Sequence, residues 1–428
     1  MDTIFALASA HGKAGVSVVR VSGPDAFNSL DHLVGRRPAV RQASLCNLTT
    51  LDGVFLDQAL VVSFEAPHSF TSENIVEFQI HGSISIINTL LLNLGKIPHF
   101  RLAEPGEFTR RALDHGKLNM VEVEGLADLI DAETEAQRKQ ALRVLSGELG
   151  QKTDEWRTKL IRAAALLEAT IDFADEDVPV DVTPEVSELL RSVLSDLKSE
   201  IDGSFAAERI RLGFEVAIVG EPNAGKSSLL NALAKREAAI TSDIAGTTRD
   251  IIEVRMDLDG LPVTFLDTAG LRDTEDEIEK IGISRALSRA GGSDLTIVLT
   301  PDGTLPNGYT VRASDIVVRS KVDLQSNVIG ISSETGEGIS DLIASIKRHL
   351  NAVSSSAGLA IRYRHRQAME RSVAQIETAL NSLSDGIEVS DLIAEDIRVA
   401  VRCLDALIGK VDAENLLDEI FSSFCLGK

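Results

Sequence analysis

The first part of the chain alternates apolar and polar residues in short runs. In residues 16–21 and 74–80 about every second side chain is apolar, which is the repeat of a strand with one buried face. Residues 84–94 instead form an apolar segment with the composition of a helix, and glycine and proline mark turns at 22–24 and 105–106. The pattern predicts a small α+β domain over residues 1–117.

The apolar spacing changes to three and four residues between 118 and 208, as in Leu160, Ala164 and Leu167. This is the repeat of packed amphipathic helices. The same spacing returns in residues 352–428. Two separate bundles would give this periodicity as well, but one discontinuous helical domain is the more economical interpretation.

Residues 209–351 alternate strands, glycine-containing loops and helices, and a Ser/Ala-rich segment at 352–358 follows them. Such alternation predicts an inserted α/β domain with a doubly wound sheet. The predicted fold class is therefore multidomain: an α+β domain first, then a discontinuous helical bundle that carries the inserted α/β domain.

Length and composition agree with several folded domains. The chain has 428 residues, of which 44% are hydrophobic and 25% charged, as in ordinary globular proteins. Its 65 acidic and 43 basic residues give a net charge of -22. That charge argues against broad, sequence-independent adhesion to nucleic acid or anionic membranes, so a polyanionic partner must be held locally.

The three cysteines, Cys46, Cys403 and Cys425, have no CxxC spacing, so neither a disulfide framework nor a structural zinc site is expected. The first residues lack the features of a signal peptide, and the most apolar segment, 84–95, is too short to span a bilayer. We expect a cytoplasmic protein without membrane association.

The strongest chemical motif follows the strand predicted at 214–219. Residues 220–227 read GEPNAGKS, and a helix-forming sequence comes next. This is the GxxxxGK[ST] phosphate-binding loop, in which backbone N–H groups surround the phosphates, Lys226 contributes a positive charge and the Ser227 hydroxyl ligates Mg²⁺. The predicted nucleotide contacts in this motif are Asn223, Ala224, Gly225, Lys226, Ser227 and Ser228.

Two later motifs specify a guanine nucleotide. Asp267 ends a predicted strand and begins Asp-Thr-Ala-Gly, which places the Asp267 carboxylate toward the magnesium ion and the Gly270 amide toward the γ-phosphate. Asp323 in Ser-Lys-Val-Asp can accept two hydrogen bonds from N1–H and the 2-amino group of guanine, and therefore selects GTP over ATP. The remaining predicted contacts are Thr268, Ala269, Ser320, Lys321, Ser332 and Ser333.

Residues 240–250 lie between these motifs and have the composition of a switch loop, in which a threonine hydroxyl completes the magnesium shell while the γ-phosphate is present. The predicted nucleotide contacts in this loop are Ser242, Asp243, Ile244, Ala245, Gly246, Thr247 and Thr248. Leu271 stands where Ras-type enzymes have the glutamine that orients water. The carboxylates of residues 272–280 are candidates for that role.

The motif set GEPNAGKSS, DIAGTTRD and DTAGLR, with PGEFTRRALDHGKLN upstream and FCLGK at residues 424–428, resembles the MnmE (TrmE) family of tRNA-modification GTPases over the whole chain. The resemblance implies a folate-binding N-terminal domain, a discontinuous helical domain and an inserted G domain. It also implies GTP hydrolysis activated by K⁺ and by dimerisation of the G domains, in a homodimer.

Several site residues follow from matching positions of the family. They imply Ser227 and Thr248 as Mg²⁺ ligands, and Glu279 as the catalytic residue that orients water. K⁺ would neutralise developing charge where an arginine finger is lacking, and Arg249 is the less favoured candidate for such a finger. The implied K⁺ ligands are Asn223, Ser242, Ile244 and Thr247.

The resemblance implies a partner, the FAD-dependent flavoprotein GidA (MnmG), in a heterotetramer-type complex. Together they would add an aminomethyl-type group to carbon 5 of the tRNA wobble uridine, with a one-carbon unit from 5,10-methylene- or 5-formyl-tetrahydrofolate. The implied folate residues are Arg20, Glu77, Lys117 and Lys428. Cys425 resembles a catalytic cysteine of the family, and its alternative interpretation is a buried small apolar residue.

The chain departs from the family pattern at Ser320, where the usual residue is asparagine; a hydroxyl cannot reproduce the paired contacts of an amide to the base, so guanine affinity should fall. Ser332-Ser333 replaces the usual Ser-Ala.

A competing hypothesis is a regulatory GTPase switch for ribosome assembly or RNA binding. Such a switch requires a basic N-terminal module, and the acidic residues of the N-terminal domain in this chain disfavour it. Residues 362–366, RYRHR, are predicted to be either a local tRNA contact or an exposed helix start.

Overall fold

The computed structural model describes residues 2–172, 181–236, 252–267, 291–306, 308–325, 328–385 and 390–410, together with 421, 424 and 427. The chain divides into two compact units. One contains residues 1–127 and 405–428, and the other contains residues 128–404.

The first unit is built on a sheet with strand order β3-β4-β5-β2-β1-β6. β1 and β6 are parallel, and the other neighbours pair antiparallel. The strands are β1 (Thr3–Leu7), β2 (Ala14–Ser22), β3 (Ser44–Thr49), β4 (Phe55–Phe64), β5 (Ile75–Gly82) and β6 (Phe100–Leu102). The helices are α1 (Asn28–Leu33), α2 (Ile84–Leu94), α3 (Glu107–Asp114) and α4 (Met120–Ile130).

Alternation in the sequence places one face of this sheet in a core. Along β4, buried and more exposed residues alternate, and the buried apolar ones, Ala59 and Val61, join Val19, Phe78 and Leu90 in one hydrophobic cluster. α2 contributes Ile87, Leu90 and Leu94 to the same cluster. The strands predicted at 16–21 and 74–80 and the helix predicted at 84–94 are confirmed.

A buried ion pair fixes α3 to the sheet. The Arg111 guanidinium donates to both carboxylate oxygens of Glu73 at 3.0 and 3.1 Å, and both side chains are 9% exposed. Glu73 also accepts a hydrogen bond from Ser22 at 2.8 Å, and Arg111 donates to the backbone carbonyl of Asp2 at 2.9 Å. Because each charge is hydrogen-bonded as well as paired, the desolvation cost of burying it is offset.

The second unit combines helices with a second sheet. Its further helices are α5 (Glu135–Leu145), α6 (Glu148–Asp172), α7 (Thr183–Leu212), α8 (Lys226–Arg236), α9 (Ile339–Ser354), α10 (Tyr363–Asp385) and α11 (Ser390–Ile408). α5 begins with a capping box, in which Thr134 and Gln137 satisfy each other's backbone N–H groups. α7 packs against both α6 and α10, so helical segments from before and after the second sheet pack together.

Two helices extend beyond the ranges expected from the sequence pattern. α7 ends at Leu212 and β7 begins at Phe214, so Gly213 alone joins them. α9 ends at Ser354, so the first residues of the Ser/Ala-rich segment are helical. Helical segments on both sides of an α/β sheet agree with the predicted fold class.

The segment 362–366 includes the start of α10, and basic side chains within it are engaged in the fold. Arg362 pairs with Asp128 at 2.7 Å, His365 is fully buried, and Arg366 pairs with Glu208 at 3.2 Å. The helix start is therefore confirmed, but it is less exposed than predicted. Ion pairing also makes Arg362 and Arg366 poor candidates for a tRNA contact.

The second sheet has strand order β11-β10-β7-β9-β8. β8 pairs antiparallel with β9, and the other neighbours are parallel. Its strands are β7 (Phe214–Gly220), β8 (Ile252–Leu258), β9 (Leu261–Asp267), β10 (Leu295–Leu299) and β11 (Ile316–Val318). The fully buried β10 and the nearly buried β7 lie at its centre, as in sheets covered on both faces. The part of the chain that the structure describes contains no helix long and apolar enough to cross a membrane.

Candidate functional site

The candidate site lies where the parallel strands of the second sheet end. β7, β9, β10 and β11 run in the same direction, so their carboxyl ends share one edge of the sheet. Asp267, the last residue of β9, is the register partner of Ile218 near the end of β7. Ligands of open α/β sheets bind in the crevice outside these ends.

The loop after β7 requires unusual backbone geometry. Gly225 has φ +97° and Asn223 has φ +62°, a left-handed region that glycine and asparagine tolerate best. At Gly220 an added Cβ would lie 3.0 Å from both the Leu299 carbonyl oxygen and the Ala224 side chain. The loop therefore turns tightly into α8, whose first N–H groups form an anion-binding site.

Lys226 and Ser227 begin α8 in different environments. The Lys226 ammonium donates to the carbonyl oxygens of Gly220 and Glu221 at 2.8 and 2.9 Å, and the residue is 8% exposed. The positive charge of Lys226 therefore lies against the backbone of the loop. Ser227 and Ser228 are exposed in the first turn of the helix, and the hydroxyl of Ser227 is the kind of oxygen donor that Mg²⁺ accepts.

The loop after β11 meets the loop after β7. Ser320 is 4% exposed, and its hydroxyl donates to the Ala224 carbonyl oxygen at 2.7 Å. Lys321 has φ +59°, and Asp323 is exposed within a short 3₁₀ helix, Val322–Leu324. The predicted base-binding residues and the phosphate loop, which are far apart in sequence, are therefore neighbours.

A second connection holds the Ser332-Ser333 motif beside Ser320. Ser320 forms a parallel β-bridge with Ile331, and the Ile331 N–H donates to the Arg319 carbonyl at 2.8 Å. Ser332 is fully buried, and its hydroxyl accepts a hydrogen bond from the Thr335 N–H at 3.1 Å. One backbone hydrogen bond and one hydroxyl contact thus hold this motif beside Ser320.

Some predicted site residues lie outside the described residues. The side chain of Asp267 is among them, although its backbone ends β9. The others are Ser242, Asp243, Ile244, Ala245, Gly246, Thr247, Thr248, Thr268, Ala269, Gly270, Glu279, Cys425 and Lys428. Their predicted roles stay predictions.

The first unit contains a separate pocket of about 280 Å³ that includes two of the four predicted folate residues, Glu77 and Lys117. Arg20 lies directly beside them, because it is the register partner of Glu77 across β2 and β5 and pairs with its Oε1 at 2.9 Å. The Arg20 guanidinium also stacks 5.5 Å from the ring of Phe70, which lines the pocket.

The sequence pattern does not identify the other walls of this pocket. Phe64 and Phe70 provide aromatic surface, and Arg41 and His68 provide polar groups. Arg41 donates to the His68 carbonyl oxygen at 2.5 Å, and its guanidinium lies 5.8 Å from the Phe64 ring. None of these residues belongs to a motif, and only the fold brings them together.

The chain end approaches the same sheet. A Cβ at Gly427 would collide with the Leu7 carbonyl oxygen, so Gly427 packs against the end of β1. Leu7 is the register partner of Val19, the residue before Arg20. The Phe421 and Phe424 rings, 5.7 Å apart, pack with Val123 in one hydrophobic cluster.

Comparison with known proteins gives matches over nearly the whole chain. A family model described as "GTP-binding protein TrmE N-terminus" matches residues 3–117, and one described as "MnmE helical domain" matches residues 120–425. The tRNA modification GTPase MnmE of Roseobacter denitrificans is 58% identical over 430 residues, with 100% of both chains covered. The protein of that name from Parvibaculum lavamentivorans is 48% identical over 439 residues, again with 100% of both covered.

Among solved structures, the G domain of the T. maritima FeoB iron transporter matches 32% of this chain and 98% of its own, at 22% identity and a TM-score of 0.23. Because two family models and full-length relatives agree, the chain belongs to the MnmE family of tRNA modification GTPases.

Proposed function

We propose that this protein is a K⁺-dependent GTP hydrolase that acts with an FAD-dependent partner to add an aminomethyl-type group to carbon 5 of the tRNA wobble uridine. One observation carries the proposal: the phosphate loop, the base-binding loop and the Ser332-Ser333 motif meet at the carboxyl ends of the parallel strands of one sheet. This arrangement fits a nucleoside triphosphate, with phosphates at the start of α8 and the base beside Asp323.

The residues at the nucleotide site fit the proposed metal ions. Ser227 presents an exposed hydroxyl at the start of α8 for Mg²⁺, and Asn223 is exposed on a left-handed turn of the loop. A monovalent cation near Asn223 would neutralise the charge that develops on the phosphates during hydrolysis, the role that an arginine finger has in other GTPases. Lys226 places its own charge against the loop carbonyls, where the outer phosphates are expected.

The pocket of the first unit fits part of a tetrahydrofolate. Arg20 donates to Oε1 of Glu77, so the other carboxylate oxygen is the one that can accept from an N–H donor of a pterin. Phe64 and Phe70 offer faces for its rings, while Arg41 and Lys117 suit the carboxylates of the glutamate tail. The pocket volume of about 280 Å³ suits the pterin and leaves the tail at the surface. The close packing of Gly427 on Leu7 supports a role in folate binding for Lys428, the next residue in the chain.

The proposal includes a homodimer, the partner GidA (MnmG) and a cytoplasmic location. Exposed apolar side chains on the first unit support self-association: Leu45 and Leu60 are register partners on β3 and β4, and they are 58% and 42% exposed. Phe55 on β4 is 62% exposed. The proposed catalytic residues remain Lys226, Glu279 and Cys425.

The test is analysis of tRNA wobble uridines from cells that lack this protein, after complementation with variants. Wild type should restore the modified nucleoside, as measured by mass spectrometry of digested tRNA. Lys226→Ala should not restore it because the phosphates lose their cation. Glu77→Gln should not restore it because the amide keeps only one acceptor oxygen, for which Arg20 and the pterin would compete.

Two measurements separate these variants. Purified Glu77→Gln should hydrolyse GTP normally but bind 5-formyl-tetrahydrofolate weakly. The control is Glu65→Gln, at an exposed position, which should retain both GTP hydrolysis and folate binding. Unchanged wobble uridines in the deletion strain would refute the proposed modification. Normal folate binding by Glu77→Gln would refute only the pocket assignment.

A further inference from the structure

Ser320 occupies the position that contacts the base in the family pattern, but its side chain is committed elsewhere. Its Oγ lies 2.7 Å from the Ala224 carbonyl oxygen, and the two residues are 4% and 1% exposed. The hydrogen bond joins positions 96 residues apart. It links the loop after β11 directly to the phosphate loop.

The direction of this hydrogen bond follows from the chemistry of its atoms. A carbonyl oxygen only accepts, so Ser320 must donate its single hydroxyl proton to Ala224. The accessible edge of guanine, O6 and N7, presents only acceptors. With its proton engaged, Ser320 has no donor for that edge, whereas an asparagine amide has two N–H donors and can serve both partners.

We propose that Ser320 is a positioning residue of the phosphate loop and does not read the guanine base. It holds the Ala224 carbonyl and therefore the turn that leads into Gly225 and Lys226. Guanine N7 is left without a side-chain donor from this position, and base selection passes through Asp323. The proposal concerns this chain's own departure from the family pattern and presupposes that the phosphate loop binds a guanine nucleotide.

The test compares GDP with 7-deaza-GDP, in which a C–H group replaces N7, by displacement of a fluorescent GDP analogue. Diphosphates are used so that hydrolysis does not interfere. Wild type should bind the two within about twofold, because it makes no hydrogen bond to N7 from this position. Wild-type affinity for GDP itself reports separately on whether the site binds guanine nucleotides.

Three variants extend the test. Ser320→Ala should weaken binding of both nucleotides by the same factor, on the order of tenfold, since the phosphate loop loses its anchor while the base loses nothing. Ser320→Thr retains the hydroxyl and should recover most of that loss. Ser320→Asn should bind GDP more tightly than 7-deaza-GDP by about fivefold, because the second amide proton can reach N7.

A matched control removes a comparable buried hydrogen bond outside the sheet. Ser372 is fully buried and donates to the Ala400 carbonyl at 3.3 Å, so Ser372→Ala should lower stability without changing either affinity. A wild-type preference of more than about fivefold for GDP over 7-deaza-GDP would overturn the proposal, because it would show that N7 is read. Unchanged GDP affinity in Ser320→Ala would overturn it as well. If Ser320→Ala does not fold, the ratio of the affinities for GDP and 7-deaza-GDP, measured in wild type and in Ser320→Asn, still tests the proposal.

Discussion

At the scale of single residues, Glu107 shows how a short motif is held in place. Its carboxylate accepts hydrogen bonds from Arg101 at 2.6 and 2.8 Å, from Arg111 at 3.0 Å and from the Glu104 N–H at 2.9 Å. Burial raises the pKa of Glu107, but these hydrogen bonds and the charge of Arg111 more than offset that effect, so its pKa lies below the usual value. The ionised form is therefore the one that stabilises the fold.

This pKa predicts a pH-dependent contribution to stability. Because the pKa of Glu107 is lower in the folded than in the unfolded chain, the unfolded chain binds more protons as the pH falls below about 4.5. The stabilisation is complete above the unfolded pKa and is lost as the pH falls through the folded one. At pH 7, Glu107→Gln should lower the free energy of unfolding by about 1–3 kcal/mol.

Denaturant unfolding of wild type and Glu107→Gln from pH 7 to pH 3 measures this contribution. The difference between the two should shrink toward low pH. Glu104 is exposed in the preceding turn, and Glu104→Gln is the control that should show little change. A difference independent of pH would contradict the assignment of the low pKa to Glu107.

At the scale of elements, α7 depends on a glycine in its interior. Gly203 is buried, and an added Cβ would lie 2.7 Å from the backbone nitrogen of Gly358 and 2.9 Å from the Ser356 carbonyl oxygen. The Gly358 N–H donates to the Gly203 carbonyl at 3.0 Å, and Glu200 accepts from the Leu359 N–H at 2.9 Å. Without a side chain at Gly203, the segment after α9 packs directly on α7.

Gly203→Ala tests this close approach. Alanine favours helix by about 1 kcal/mol over glycine, so helix propensity alone predicts stabilisation. The collision with backbone atoms should instead destabilise the protein by about 1–3 kcal/mol. Asp202 is exposed on the same turn, and Asp202→Ala should not lower the melting temperature. A higher melting temperature for Gly203→Ala would show that the packing relaxes without cost.

At the scale of the whole molecule, the net charge of -22 limits how the protein can meet tRNA. Arg362 and Arg366, in the segment predicted as a local tRNA contact, are paired with Asp128 and Glu208. Neutralising a phosphate would compete with these ion pairs. We therefore expect the partner protein to contribute much of the cationic surface in the proposed complex.

The proposed mechanism of GTP hydrolysis depends on K⁺ and on a second G domain. GTP turnover should be several-fold faster in K⁺ than in Na⁺ at equal ionic strength, and turnover per molecule should rise with protein concentration. Glu279→Ala should bind nucleotide normally but hydrolyse it slowly. Equal rates in the two salts would exclude the K⁺ mechanism, and normal turnover in Glu279→Ala would exclude the water-orienting role.

Local signals predicted much of the fold and part of the site. The repeat of two predicted β2 and β5, the repeats of three and four predicted α6 and α7, and GEPNAGKS predicted the turn between β7 and α8. The aromatic walls Phe64 and Phe70 and the buried Arg111–Glu73 pair were not predicted. Such residues have no fixed spacing, because their partners come from distant strands.

The sequence by itself determined which chemistry this protein carries. A phosphate loop needs glycine, lysine and serine at fixed short distances, since backbone N–H groups and one cation must reach the phosphates while one hydroxyl reaches the Mg²⁺ beside them. Only the tertiary structure decided how Ser320 and Arg362 use their hydrogen-bond donors. Ser320 donates to Ala224, and Arg362 donates to Asp128. A side chain has few donors, and which acceptor it meets depends on how segments far apart in the chain pack together.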